Sequence, residues 1–183
     1  MMTVHGARSS RQGREQPRKY TLTRMRSKGG SGCPLHWWSL TLLHGEGSYR
    51  VGGRWNSRGV RAVYCSIDPS TAILEAAVHK GFKTLDTVAH VITAAVVNET
   101  TEVHVVGPAD VPNSNWLRPG LPGAGQQAFG DDLLQRHKFV VIPSVVSQHS
   151  WNLIFEAGIA AGAYTMKQQD PFALDTRLHP PSA

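Results

Sequence analysis

Two apolar runs constrain this chain most: Val88 to Val97, long and rich in β-branched residues, and Phe139-Val140-Val141-Ile142, apolar at every position. β-branched runs fit a pleated surface, and a strand with no polar face belongs inside a core. Shorter segments read as further strands: Trp37 to Leu43, Val60 to Cys65 and Glu102 to Val106. Asp68-Pro69 supplies an N-cap and a first-turn proline for a helix reaching about Lys80, and Gln126 to His137 is a second helix. A Gly-rich loop, Gly45 to Gly59, separates the first two strands; after Asn152 the signal weakens, and Leu178-His179-Pro180-Pro181 reads as a frayed end. Strands and helices do not alternate as strict βαβ units, which predicts a compact single α+β domain. A chain of 183 residues, 40% hydrophobic, can bury one core but is short for two.

The charge is unevenly placed. Of the net +6, residues 1–34 carry +7, from eight Lys and Arg against Glu15, whereas the remaining 149 residues balance at −1. The segment 1–34 is polar, contains Gly29-Gly30-Ser31-Gly32 and is expected to be a disordered basic extension, with the folded domain at 35–176 and a tail at 177–183. Its Arg-rich, acid-poor composition also fits a transit peptide or sequence upstream of a later start such as Met25. With the basic excess confined there, the domain is not expected to bind nucleic acid. No apolar stretch approaches the roughly 20 residues that cross a bilayer, and no secretory signal precedes the domain, so a cytoplasmic location is expected. Cys33 and Cys65 lie in dissimilar contexts without Cys-x-x-Cys spacing, and the nine histidines show no ligand spacing, so no metal is expected.

Gly52-Gly53-Arg54-Trp55-Asn56 combines glycines that let backbone approach a ligand with an Arg fork suited to phosphate. An ordinary turn with a surface cation explains the same residues. Tyr64, ending a strand, can pack its ring or stack on a planar ligand. On a helical wheel, Ile73, Leu74, Ala76, Ala77 and Val78 form the apolar arc, with Thr71, Glu75 and His79 opposite, which predicts a solvated glutamate unless that face lines a cleft. Ser144 follows the core strand at the mouth of a sheet, and Asn152 reads as a loop residue. No Gly-x-Ser-x-Gly, Walker or dinucleotide-fold motif is present.

Taken in order, Gly53-Arg54-Trp55-Asn56, Gly59, Ala62-Val63-Tyr64, Ala72 with Leu74-Glu75, Pro143-Ser144-Val145-Val146 and Asn152 resemble the RES-domain family, the toxin half of bacterial toxin–antitoxin pairs. The resemblance spans about Trp37 to Asp175. It implies a fold similar to the ADP-ribosyltransferase toxins and destruction of NAD+ at its nicotinamide–ribose bond, with water, phosphate or a protein as acceptor. NAD+ is then the substrate, and no cofactor is implied. The implied catalytic residues are Arg54, Tyr64 and Glu75, and the implied NAD+ contacts are Arg54, Trp55, Tyr64, Ser144 and Asn152. The implied partner is an Xre-type helix-turn-helix antitoxin that blocks the cleft, and a homodimeric toxin within such a complex is compatible with it. Two departures stand out: Trp37-Trp38 where the family has Trp-Arg in its first strand, and Glu156-Ala157 where it has Asn-Pro. Loss of one guanidinium from phosphate binding costs about 2 kcal/mol, which would lower activity.

Overall fold

The computed structural model describes residues 21–27, 44–175 and 177. Its strands are β1 (Thr21–Ser27), β2 (Ala62–Ser66), β3 (His90–Val97), β4 (Val103–Val105), β5 (Phe139–Pro143), β6 (Trp151–Glu156) and β7 (Tyr164–Phe172). The α-helices among these residues are α1 (Glu46–Val51), α2 (Pro69–Lys80), α3 (Phe82–Thr87) and α4 (Ala124–Arg136). The strands run in the order β4-β5-β6-β2-β1-β3-β7, antiparallel except for the parallel β4–β5 pair. This is the α+β architecture that the segment pattern predicted.

The sheet is nearly divided. β1 pairs with β3 along its whole length, from Thr21 opposite Val96 to Ser27 opposite His90, yet meets β2 only where Thr23 faces Ser66. The two halves fold over each other: Val63, Cys65, Phe139, Val141, Leu153 and Phe155 from one half share a core with Val91, Ala95 and Val97 from the other. Phe155 also lies 5.4 Å from the Tyr164 ring, centroid to centroid. The fully apolar β5 is buried on both faces because its other face, with Ala62 and Ile154 beside it, packs on Leu133 and Leu134 of α4.

β1 corrects one expectation, since Thr21–Ser27 falls inside the segment expected to be disordered. Composition misses it because a strand needs backbone pairing and one buried face, here including Thr23 at 3% exposure, rather than an apolar average. The rest of residues 1–34, the strand expected at Trp37 to Leu43 and the frayed end at Leu178 to Pro181 lie outside the described residues. The weak signal after Asn152 conceals β7, a polar, mostly exposed edge strand with a register shift opposite Ala94 and Ala95. The expected loop Gly45 to Gly59 contains α1.

α4 positions the Gly-rich loop. A Cβ on Gly130 would stand 2.0 Å from the Trp55 carbonyl oxygen, so the loop lies directly on the helix backbone. Gln127 Nε2 donates to Gly53 O at 2.9 Å, and Ser57 N donates to Asp131 Oδ1 at 3.0 Å. Gly130→Ala should therefore push the loop away and lower unfolding free energy by about 1–3 kcal/mol in urea titration. Gly125→Ala, where the nearest neighbour would be the Trp116 ring at 3.5 Å, should be neutral or stabilising.

Candidate active site

α2 begins as its sequence predicts. Asp68 accepts from Thr71 N at 2.8 Å, and Pro69 occupies the first turn. Burial raises the Asp68 carboxyl, but hydrogen bonds from Ser150 and Thr71 outweigh it and hold the group below its ordinary value. The face of α2 turned inward is not the one periodicity predicted. Thr71, Ala72 and Ala77 are buried, while Leu74 is 38% and Val78 64% exposed. Small side chains let the helix approach β1 and β2 closely, and this brings Glu75 to the sheet rather than to solvent.

Glu75 is half-buried and held through a single oxygen. Its Oε1 accepts from Ser144 Oγ at 2.9 Å and from Asn152 Nδ2 at 2.6 Å. The Asn152 amide is oriented in turn by Ser66 Oγ, which donates to its Oδ1 at 2.8 Å. Ser144 Oγ accepts from Val146 N at 3.2 Å and Ser147 N at 3.0 Å, which leaves its proton for the carboxylate. Oε2 makes no hydrogen bond to any described residue. The arrangement presents one carboxylate oxygen from a rigid mount.

Tyr64 forms the adjoining wall. Its hydroxyl donates to Asn56 Oδ1 at 2.7 Å and accepts from Trp55 N at 2.9 Å. Burial pushes its pKa well above the ordinary value, so the phenol stays neutral. Asn56 is fully buried, and its Nδ2 donates to the carbonyls of Ser48, Ser57 and Val60. Gly53 is required here: a Cβ would stand 2.6 Å from the Tyr64 hydroxyl and 2.5 Å from Asn56 Oδ1.

Glu75, Tyr64 and Asn152 line a cleft of about 180 Å³ together with Thr23, Ser66, Ala72, His79 and Lys80. It sits over the seam between the half-sheets, since Thr23 and Ser66 are the pair that joins them. Two assignments change. Trp55 is 1% exposed and packs edge-on against Phe129 at 6.3 Å, so its side chain belongs to the core and does not line the cleft. Arg54 does not line the cleft, and its guanidinium donates to the carbonyls of Trp116 (3.5 Å), Arg118 (3.4 Å) and Gly120 (2.8 Å). Ser144 touches the carboxylate rather than lining the cleft, and Asn152 lies on a strand instead of a loop.

Sequence reasoning missed Thr23, Ser66 and Lys80. Ser66 was accessible through strand parity, two residues beyond Tyr64. Among the described residues no cluster of three or more His, Cys, Asp or Glu could hold a metal ion, and no helix is long and apolar enough to cross a membrane.

Fold and site together define an α+β domain with a carboxylate-centred cleft over a split sheet. The chain belongs to the RES-domain family, whose model matches residues 22–175, a span that includes β1. It is 30% identical over 115 residues to the Prs ADP-ribosylating toxin of Sphingobium sp. (strain YBL2), covering 61% of this chain and 70% of that protein. Its fold matches a chain in the crystal structure of the M. tuberculosis MbcT–MbcA toxin–antitoxin complex, with a TM-score of 0.62, 19% identity and 86% of each chain covered.

Tyr64→Phe removes the partner of both Trp55 N and Asn56 Oδ1 and should cost about 1–3 kcal/mol in urea unfolding at neutral pH. The folded phenol holds its proton more tightly than an unfolded one, so its contribution is complete below the ordinary tyrosine value of 10.0 and declines as pH rises past it. The gap between wild type and Tyr64→Phe should accordingly narrow above that pH.

Proposed function

We propose that this chain is the toxin of a toxin–antitoxin pair and cleaves the nicotinamide–ribose N-glycosidic bond of NAD+. The observation that carries this reading is Glu75, a carboxylate fixed through Oε1, with no hydrogen bond to Oε2 from a described residue, in a cleft that Tyr64 also lines. Breaking the C1′–N bond returns the electron pair to the pyridinium nitrogen, so nicotinamide leaves neutral and positive charge develops on the ribose. A preorganised carboxylate stabilises that charge as it forms. Water then bonds to C1′ and loses a proton, giving ADP-ribose, nicotinamide and a proton; phosphate as acceptor gives the corresponding phosphorolysis.

The other residues have narrower roles than their types alone imply. Ser144 and Asn152 act on the carboxylate and hold it aimed. The Tyr64 hydroxyl is engaged by the loop, so its ring face, packed against the nicotinamide, is its contribution. Arg54 braces the segment 116–120 beside the loop. The cleft is smaller than the roughly 300–1,000 Å³ of drug-sized pockets, which suits the nicotinamide-ribose end and leaves the remainder of NAD+ outside.

A second reading, transfer of ADP-ribose to a protein side chain, is favoured by the likeness to an ADP-ribosylating toxin. The bond broken is the same, and only the acceptor differs. A catalytically weakened domain acting through its antitoxin is less well supported: Glu156 lies at the far end of β6 from Asn152, where its Oε2 caps a turn by accepting from Ile159 N at 2.7 Å. The proposed partner is an Xre-type helix-turn-helix antitoxin covering the cleft, in the cytoplasm, with a homodimeric toxin as one form of the complex.

Glu75→Gln keeps a carbonyl oxygen for Ser144 and Asn152 but removes the charge. Incubated with NAD+, the wild type should release nicotinamide and Glu75→Gln should do so at least about 100-fold more slowly, with unchanged folding by circular dichroism. Product analysis with and without phosphate separates hydrolysis from phosphorolysis, and ADP-ribose on a lysate protein would select the transferase reading. Intact NAD+ with no labelled protein would remove both.

A further inference from the structure

A dinucleotide seated with its nicotinamide ribose at Glu75 needs cations for its pyrophosphate, and the Gly-rich loop does not supply them. The Arg54 guanidinium is engaged by three backbone carbonyls and stands outside the cleft lining. Among the described residues, the basic side chains that line the cleft are His79 and Lys80, in the last turn of α2. His79 is four residues beyond Glu75, on the same face of the helix. At 1.5 Å per residue the two are offset by about 6 Å along the axis, close to the reach of a ribose from its anomeric carbon to its 5′-phosphate.

Burial follows the same gradient. Asn152 and Ser66 are buried and Glu75 is half-buried, whereas His79 and Lys80 are exposed, so the carboxylate lies inward and the two basic side chains at the open end. A cleft of about 180 Å³ filled by a nicotinamide ring and its ribose leaves the pyrophosphate at that opening. The helix C-terminus repels anions through its exposed carbonyls, so an anion there must be held by side-chain donors.

We propose, resting on the NAD+ reading above, that His79 and Lys80 form the pyrophosphate subsite of the cleft, with Glu75 one helical turn inward at the reacting ribose. Lys80 supplies a point charge and His79 a directional N–H donor, a pairing suited to a phosphate diester at a solvated mouth. The subsite acts on binding and not on the bond-breaking step.

Lys80→Gln and His79→Gln test this through the split between KM and kcat. Each should raise KM for NAD+, Lys80→Gln by about tenfold, while kcat for nicotinamide release stays within about threefold of wild type. The calorimetric Kd for ADP-ribose, which carries the same pyrophosphate, should rise in parallel. Constants for nicotinamide riboside, which has the ring and ribose but no phosphate, should not change, and His79→Gln should leave the unfolding midpoint unaltered. Lys83→Gln on α3, outside the cleft, should match wild type throughout. An unchanged KM for NAD+, or an equal loss on NAD+ and nicotinamide riboside, overturns the subsite while leaving NAD+ cleavage intact. A wild type that neither binds nor cleaves NAD+ overturns the functional reading itself, and the subsite with it.

Discussion

The two halves of the sheet share one paired position, Thr23 with Ser66, and are otherwise joined by the apolar core they close between them. Burial of Phe139, Phe155, Leu153 and Val91 supplies the driving force, at about 25 cal/mol per Å² of apolar surface removed from water. A continuous ladder at that seam would have closed the sheet face. With only one pair, the strands diverge, and the gap becomes the cleft on which α2 places Glu75. The geometry of the proposed site is thus a consequence of how the core closes, and β1, from a segment with little apolar content, supplies one side of the seam.

A half-buried carboxylate is costly unless its charge is compensated. Among the described residues, Glu75 is hydrogen-bonded by two neutral donors on one oxygen, and each donor is itself fixed: Asn152 by Ser66, and Ser144 by two backbone amides. Such a chain is rigid because every member has a single good orientation. The Gly-rich loop follows the same logic, with Asn56 satisfying three carbonyls and Tyr64 while α4 holds the loop through Gln127 and Asp131.

The sequence alone determined the local features. The Asp68-Pro69 start of α2, the buried β5 and the helix before it depend on neighbours a few residues away, and each formed where its residues indicated. The order of Arg54, Tyr64, Glu75, Ser144 and Asn152 was legible too, and tertiary structure gathers Tyr64, Glu75, Ser144 and Asn152 at one site. Only the tertiary structure decided what each side chain meets. Helical periodicity sent Glu75 to solvent, because it counts apolar residues and cannot see that Thr71, Ala72 and Ala77 are small enough to pack closely on the sheet. Residue type suggested a phosphate clamp at Arg54, but the carbonyls of 116–120, more than 60 residues distant, claim its donors. Trp55 was read as a loop residue and proved to be core, since α4 carries a glycine opposite it. Polar strands β1 and β7 escaped notice because backbone pairing leaves no trace in composition. Side-chain type fixes what a residue can do; long-range packing fixes which partner it does it with.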